Sequence, residues 1–351
     1  MRRSTIALAV TAAALSLAAA SLFRGPSVAA AWSRGDLAEA AFSPSGGRVA
    51  AIDRAAGSAE AVVLDARNGR VLSRRAVDRT IYDLAWQPDG RLLAVTDAGL
   101  VRWADEGPVE DVPFDEETVQ WCKTVRKSSR GVRYTVTADE TAVSVKLNAT
   151  EGRLIRLDPE TLRPLGPARI DDCWPVRPKA AGGGEVLGRH GLWLDAGGRV
   201  IADLNVNAAT PVPGGRSAVT VNAGMVERLG RDGTSVKRVW TASNCLFSVD
   251  AAGGRVAAYG FRRTWRRVRE VSDVHVLDLA TLRVLGSFTD GRPARLGDLS
   301  DLRSGNELLQ ADGSRRVSLS PDGSLLLLFG GSPDERGVEC FRVGDIIIGA
   351  K

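Results

Sequence analysis

Two phrases that recur along the 351-residue chain, and the spacing of their copies, predict an all-β fold: a seven-bladed β-propeller of four-stranded antiparallel blades. The first phrase is a tight turn running into an apolar strand. Its sharp copies are SPSGGRVAAID (Ser43–Asp53), QPDGRLLAVTD (Gln87–Asp97) and SPDGSLLLLFG (Ser320–Gly330). The second is a hairpin that aligns without a gap in LDARNGRVL (Leu64–Leu72), LDPETLRPL (Leu157–Leu165) and LDLATLRVL (Leu277–Leu285). These hairpins lie 93 and 120 residues apart, two steps of about 46 and three of 40. A propeller blade takes roughly 40–45 residues.

Each element follows from its chemistry. In the turn, Pro sets φ near −65°, Asp bonds back to the backbone and Gly takes the positive-φ site. The strands that follow, RLLAVTD and SLLLLFG, are unbroken apolar runs rather than alternations, as a strand covered on both faces requires. The second strand of a blade, lying between its neighbours, has that environment. The Leu-Asp hairpin is more polar and reads as the half-exposed outer pair. Weaker copies fill the missing steps. The turn phrase recurs at Ser128–Asp139, Ala180–His190, Val212–Asn222 and Ala251–Gly260; the hairpin recurs at Leu100–Val112, Leu192–Leu204, Val226–Val239 and Val338–Ala350. Each phrase then occurs seven times. No blade covers both of its faces alone, and stacking around an axis does so.

Two stretches depart from the repeat. Glu140–Gly152 predicts a long loop between the second and third strands of blade three, and Gly291–Gly313 an insertion before blade seven with a short helix in LGDLSDL. Both belong to the face from which the blade-to-blade connections emerge, around the mouth of the central channel.

The N-terminus reads as an export signal. Arg2 and Arg3 precede a charge-free stretch, Ser4–Phe23, and PSVAAAW (Pro26–Trp32) offers small residues at the −3 and −1 positions of a cleavage site near Ala29 to Ala31. The competing reading is an uncleaved anchor formed by residues 4–23. Cleavage leaves residues 32–351 as one propeller domain and lowers the formal charge from +5 to +2 by removing Arg2, Arg3 and Arg24. A nearly balanced mature chain gives no electrostatic case for nucleic-acid binding, despite a pI near 9.3. A secreted or periplasmic monomer is expected.

The quoted turn-and-strand phrases resemble the blade signature of bacterial secreted and periplasmic seven-bladed propellers, the YVTN-type and related WD-repeat-like families. The resemblance spans about Asp36 to Ile348. The Gly-His and Trp-Asp dipeptides of true WD repeats are absent, as are the Asp-box of sialidases and the tryptophan-docking phrase of quinoprotein dehydrogenases. Families with this fold include binding scaffolds, lactonases and lyases, so the likeness implies a fold and not a reaction.

FRRTWRRVRE (Phe261–Glu270) sets Arg262, Arg263, Arg266, Arg267 and Arg269 around Trp265, in the expected loop between the second and third strands of blade six. Guanidinium forks there suit a phosphate, a carboxylate, an acidic glycan or an acidic protein. The plain alternative is an extended hairpin with solvated or Trp-stacked arginines. Asp171 and Asp172, read as opening blade four at the channel mouth, are the paired carboxylates that would hold a cation or act as acid and base, with Asp115–Glu117 in the corresponding place in blade three. His190 and His275 carry no nucleophile signature around them. Four cysteines in an exported chain make disulfides an expectation, with three pairings open. Cys122, Cys173 and Cys245 are read at the starts of innermost strands. Cys122 and Cys173 would stand in adjacent blades, where a bridge is geometrically open to them if their Cα atoms come within about 7 Å; Cys245 and Cys340 are the remaining pair, in blades six and seven at different depths. Spacings of 51, 72 and 95 residues exclude a paired-ligand zinc pattern. The expectation is a non-enzymatic platform without a cofactor, binding a protein or anionic ligand on the channel face; the alternative is a propeller enzyme of lactonase or metal-assisted lyase type.

Overall fold

Four-stranded sheets with apolar residues on both faces need a neighbour on each side, and seven such sheets here cover one another in a ring. The computed structural model describes residues 27–53, 60–104, 107–127, 133–148, 152–166, 169–171, 179–183, 185–188, 191–197, 199–214, 216–243, 245–262, 271–293, 315–330 and 337–349. A short strand, β1 (Trp32–Arg34), precedes blade one, which holds β2 (Leu37–Phe42), β3 (Arg48–Asp53), β4 (Glu60–Asp65) and β5 (Val71–Ala76). Blade two is β6 (Ile81–Trp86), β7 (Leu92–Thr96), β8 (Gly99–Trp103) and β9 (Glu110–Pro113). Helix α1 (Glu116–Lys127) leads to blade three, which is β10 (Arg133–Ala138), β11 (Val143–Asn148), β12 (Gly152–Leu157) and β13 (Arg169–Asp171). Blade four is β14 (Lys179–Gly182), β15 (Glu185–Leu187), β16 (Leu192–Leu194) and β17 (Val200–Asp203). Blade five is β18 (Ala208–Pro211), β19 (Ser217–Asn222), β20 (Met225–Gly230) and β21 (Ser235–Trp240). Blade six is β22 (Cys245–Ala252), β23 (Arg255–Arg262), β24 (Val271–Asp278) and β25 (Val284–Pro293). Three strands of blade seven follow, β26 (Arg315–Leu319), β27 (Leu325–Gly330) and β28 (Val338–Arg342), then helix α2 (Val343–Gly349).

The sharp turn phrases join first to second strands as expected, and the apolar runs they introduce, β3, β7 and β27, are buried almost throughout. One apolar cluster fills each of the seven seams between blades. Among the described residues the seam between blades three and four is the thinnest, resting on Leu154, Leu192 and Leu194.

Blade three corrects the expected phasing. Ser128–Asp139 contains the innermost strand β10, not the second; the turn is Asp139–Ala142, where Asp139 Oδ1 accepts the N–H groups of Thr141 and Ala142 at 2.8 and 2.9 Å. No long loop separates β11 from β12, which are three residues apart. The extra length is α1. Asp115 caps it by accepting the Thr118 N–H at 2.7 Å, Glu116 and Glu117 sit in its positive first turn, and Thr118 and Cys122, one turn apart, are buried. Cys122 is therefore helical rather than the start of an inner strand.

Blade seven holds the second correction. Val338–Ala350 was expected to be a hairpin, but after β28 the chain turns into α2, whose Val343 and Ile346, three residues apart, are buried. The helix lies against β25 so closely that a Cβ on Gly286 would stand 2.5 Å from the Ile346 carbonyl oxygen. The outer strand of blade seven is instead β1, paired antiparallel with β28 from Trp32–Cys340 to Arg34–Val338. The ring is closed by joining the two ends of the chain.

The hairpin phrase shows how. Its Asp accepts the backbone N–H three residues on, from Asn68 to Asp65, Thr161 to Asp158 and Thr281 to Asp278. The sixth position of all three copies has positive φ: Gly69 at 70°, Leu162 at 52° and Leu282 at 51°. A leucine in that conformation is strained by about 1–2 kcal/mol, and burying its side chain returns about 1.5–3 kcal/mol. Leu162 and Leu282 are 1% and 0% exposed, each within a seam cluster. At Gly69 the equivalent space belongs to Trp32, whose indole N–H donates to the Ala66 carbonyl at 2.9 Å and whose ring would lie 2.8 Å from a Cβ on Gly69. The closing strand thus brings with it the side chain that the turn lacks.

Trp32→Ala is expected to destabilise the protein by about 3–5 kcal/mol, and Gly69→Leu by about 1–3 kcal/mol or more through overpacking. The double variant should be less destabilised than the sum, because the new leucine enters the vacated space. Denaturant unfolding of the four proteins reads the coupling, and strictly additive losses would show that the two positions do not share that volume.

Candidate functional site

Strand alternation gives the ring two unlike faces. Turns between first and second strands, and between third and fourth, emerge on one face; loops between second and third strands and the connections to the next blade emerge on the other. The turn face is tightly interlocked. A Cβ on Gly253, in the first turn of blade six, would stand 2.0 Å from the backbone of Asp322 in the first turn of blade seven. A Cβ on Gly46 of blade one would stand 3.3 Å from the Pro321 ring of that same blade-seven turn.

The connection face carries α1, held on blade three by β12. Arg153 Nη2 donates to Glu117 Oε1 at 2.9 Å, and its guanidinium lies 5.3 Å from the Trp121 ring centroid. Glu117 and Trp121, four apart, make that pair of contacts while Glu116, Gln120, Lys123 and Thr124 are exposed. The carboxylates expected at the mouth of blade three, Asp115–Glu117, are thereby divided: Asp115 caps α1, Glu117 pairs with Arg153 and Glu116 is exposed.

Toward the axis, innermost strands are bridged by side chains of the preceding blade. Asp83 Oδ2 accepts the Val136 N–H at 3.1 Å, Ser248 Oγ the Val317 N–H at 3.2 Å and Asp250 Oδ2 the Leu319 N–H at 2.8 Å. Lys179 of blade four extends this bridging across blade five. Its ammonium donates to Asp250 Oδ1 at 2.6 Å and to Thr210 Oγ1 at 3.1 Å, and Thr210 in turn donates to Asp250 at 3.2 Å. Four successive blades meet at that one carboxylate. Burial alone raises the Asp250 pKa, but the charge and hydrogen bond of Lys179, helped by Leu319 N–H and Ser318, outweigh it and hold the group below its ordinary 3.8. Between blades seven and one, Arg316 pairs with Glu39 and lies over the Phe329 ring at 4.7 Å.

The seam between blades six and seven holds a second ionic cluster. Arg315, with its side chain 5% exposed, donates to Asp290 Oδ1 at 2.8 Å and reaches Glu339 Oε2 at 2.7 Å. Burial, then the Asp290 charge, pushes the Tyr259 phenol well above its ordinary range, so its hydroxyl stays protonated and donates to Asp290 Oδ2 at 3.5 Å.

A serine, a histidine and an aspartate also meet. Ser243, in the connection leaving β21, places Oγ 2.7 Å from His275 Nε2 and 3.3 Å from Asp273 Oδ2, both on β24. The three are 3–4% exposed. A nucleophile must reach its substrate, and this hydroxyl is walled in. The trio ties a blade connection to the third strand of blade six.

The predicted site residues fall as follows. Arg262 is the last residue of β23 and β24 begins at Val271, so the arginine stretch joins the second and third strands of blade six as read. Arg263, Trp265, Arg266, Arg267 and Arg269 lie outside the described residues, as does the side chain of Arg262. Asp171 does not open blade four. It ends the outermost strand of blade three, opposite Gly152, and the inner strand of blade four starts at Lys179. Asp172, Cys173 and His190, and residues 294–313 of the insertion, lie outside the described residues, while Gly291–Pro293 are the last residues of β25 rather than insertion. Cys245 does begin an innermost strand. Cys340 sits mid-strand on β28 as a reduced thiol, raised to about 12 by burial, with Sγ 3.6 Å from the Ala66 carbonyl oxygen. No two cysteines are joined among the described residues, so the expected Cys245–Cys340 bridge is not formed. Among the same residues no group of His, Cys, Asp or Glu side chains is placed to hold a metal ion. The residues that sequence reasoning missed, Asp83, Lys179 and Asp250, had one signal: a lone charge in a short, otherwise uncharged inner strand.

No family model and no curated protein matches the chain. Among solved structures it is similar to the β-propeller domain of Cps50 (Swd1) from Myceliophteria thermophila, with a TM-score of 0.54 at 12% identity over 88% of this chain and 98% of that one. The chain is a seven-bladed β-propeller. It is also similar to the dihydro-heme d1 dehydrogenase NirN in complex with DHE, with a TM-score of 0.47 at 15% identity over 89% of this chain and 69% of that one. A protein of unknown function from Bacteroides caccae matches with a TM-score of 0.40 at 10% identity, over 66% of this chain and 90% of that one. These likenesses are of fold.

Because the folded-state pKa of Asp250 lies below its unfolded value, the stabilisation is present above about pH 4 and is lost as pH falls through the folded value. Asp250→Asn should lower stability near neutral pH by about 1–3 kcal/mol and flatten the acid limb of the stability profile. Urea unfolding across the acid range reads both effects, and an acid limb unchanged in the variant would rule out Asp250 as its source.

Proposed function

We propose that the protein is an extracytoplasmic binding platform whose connection face engages an acidic partner protein. The observation that carries this reading is the inequality of the two faces. On the turn face the first turns of blades six and seven are in backbone contact and α2 packs back on β25, whereas α1 and the segments 263–270 and 294–314 all arise on the other side of the ring. The two longest stretches between blade strands, 114–132 with α1 and 294–314, therefore belong to the connection face, and binding segments are carried on such loops of rigid scaffolds.

The chemistry of 263–270 supports an anionic partner. Arg263, Arg266, Arg267 and Arg269 around Trp265 combine bidentate donors with an aromatic surface, the residue types that dominate binding energy at interfaces. A platform is favoured over a propeller enzyme by the state of the described charges near the axis. Asp250, Lys179, Arg316 and Glu39 hold neighbouring blades together, and the Ser243–His275–Asp273 trio is enclosed. In this reading the charge-free segment 4–23 is the export leader.

The test compares the wild-type protein with Arg266→Glu/Arg267→Glu and with the turn-face variant Arg91→Glu, using polyglutamate as the probe. Wild type and Arg91→Glu should bind with the same salt-sensitive affinity, and the double variant at least about tenfold more weakly, a loss of about 1.4 kcal/mol. Equal binding by all three proteins overturns the assignment of the face. A metal or small molecule retained through purification, with turnover, would restore the enzyme reading.

A further inference from the structure

The residues just before β1 are folded into the ring. From Ser27 to Ser33 exposure alternates: Ser27, Ala29, Ala31 and Ser33 face solvent, and Val28, Ala30 and Trp32 turn inward. This is the period of an extended strand, continued upstream of Trp32. Val28 and Ala30 pack against the cluster that contains Phe341, Val343 and Ile346, the last two on α2. The Ala31 N–H donates to the Cys340 carbonyl at 2.7 Å. Trp32 then locks into blade one through Ala66.

This is the same stretch that carries the small residues of the leader-processing pattern. We propose that residues 27–34 form a two-state segment in which leader processing and ring closure exclude one another, the bond cut being Ala29–Ala30 before closure. The proposal rests on the leader reading. A peptidase that recognises small residues at −3 and −1 binds the chain extended, with its backbone accessible and the bond free to enter the active site. Once the ring has closed, residues 31–34 are held by β28 along one backbone edge, and Val28 and Ala30 are packed against the cluster that includes Val343 and Ile346 of α2. Cutting then requires peeling the strand away and breaking the Trp32 lock. The step is hydrolysis: water supplies hydroxide to the Ala29 carbonyl carbon and a proton to the departing Ala30 nitrogen. A cut after Ala29 leaves the Ala30 packing and the Ala31 hydrogen bond in place, whereas a cut after Ala31 removes both.

Topology adds a spatial consequence. β1, as an outermost strand, begins on the turn face, and α2 follows β28 on that same face. A chain that closed before it was cut would hang from its leader with the connection face pointing away from the bilayer.

Purified full-length precursor in mild detergent, folded and uncut, is exposed to signal peptidase beside the Gly69→Leu precursor. That substitution obstructs the Trp32 lock without altering any residue from 27 to 34. The wild-type precursor should be cut at least tenfold more slowly, and intact-mass measurement should find a product that begins at Ala30. Equal rates overturn the exclusion, and a product beginning at Trp32 overturns the assigned bond. If neither precursor is cut, even when unfolded by heat and returned to the assay, the leader reading itself fails and the segment is an anchor. Amide exchange in the two precursors checks the lock directly: protection at Ala31 should be lost in Gly69→Leu.

Discussion

The structure depends on one pairing, the three-residue strand β1 against β28. Every blade presents two apolar faces, so an open array of seven would leave one face of blade one and one of blade seven in water. Closure removes both at once. The seam it creates is among the larger, drawing on Leu37, Val49 and Leu64 from blade one and Leu325, Leu327 and Val338 from blade seven. The pairing itself is small, and its strength comes from Trp32, a large side chain delivered into a turn that has glycine where its counterparts have leucine.

The polar groups near the axis belong to the same problem. Innermost strands have a free edge, and unpaired N–H groups there are costly wherever water is scarce. Side chains of the preceding blade meet them. Asp250 also gathers Lys179 and Thr210, so one carboxylate registers blades four to seven against each other. Pairs of this kind add little net stability, because desolvation opposes their attraction, but breaking one leaves an uncompensated charge. They bias the ring toward a single register. Asp83, Asp250 and Lys179 thus act as joints between blades.

Blade number, the identity of the second strands and the outer hairpins were legible in the sequence, because the turn and hairpin phrases carry their geometry in Pro, Asp and Gly at fixed offsets. The failures have physical causes. In blade three, Arg133–Ala138 and Val143–Asn148 are both apolar enough to pass for a second strand, and the weak Ser128–Asp139 copy took the wrong one. EETVQWCKTVRK lacks strand alternation but follows a capping Asp that the repeat reading did not weigh. At the end of the chain, three consecutive isoleucines suit a strand, and a helical turn won because β1 already occupied the outer position. No local pattern announces that a strand's partner lies at the opposite terminus. The Gly-for-Leu exchange at position 69 was visible in the alignment of the hairpins, although its meaning required knowing what fills the space. Ser243 and His275 are 32 residues apart, and their meeting is a property of the folded seam alone.

Joining the ends of the chain also sets an order of events. The residues that pair, 32 with 340, are separated by nearly the whole polypeptide, so the entropy of bringing them together is large. A chain emerging one blade at a time can stack blades two to six as it grows, yet its first blade must wait for the last strand to appear. During that interval the flank of blade one that carries Leu37, Val49 and Leu64 stays uncovered.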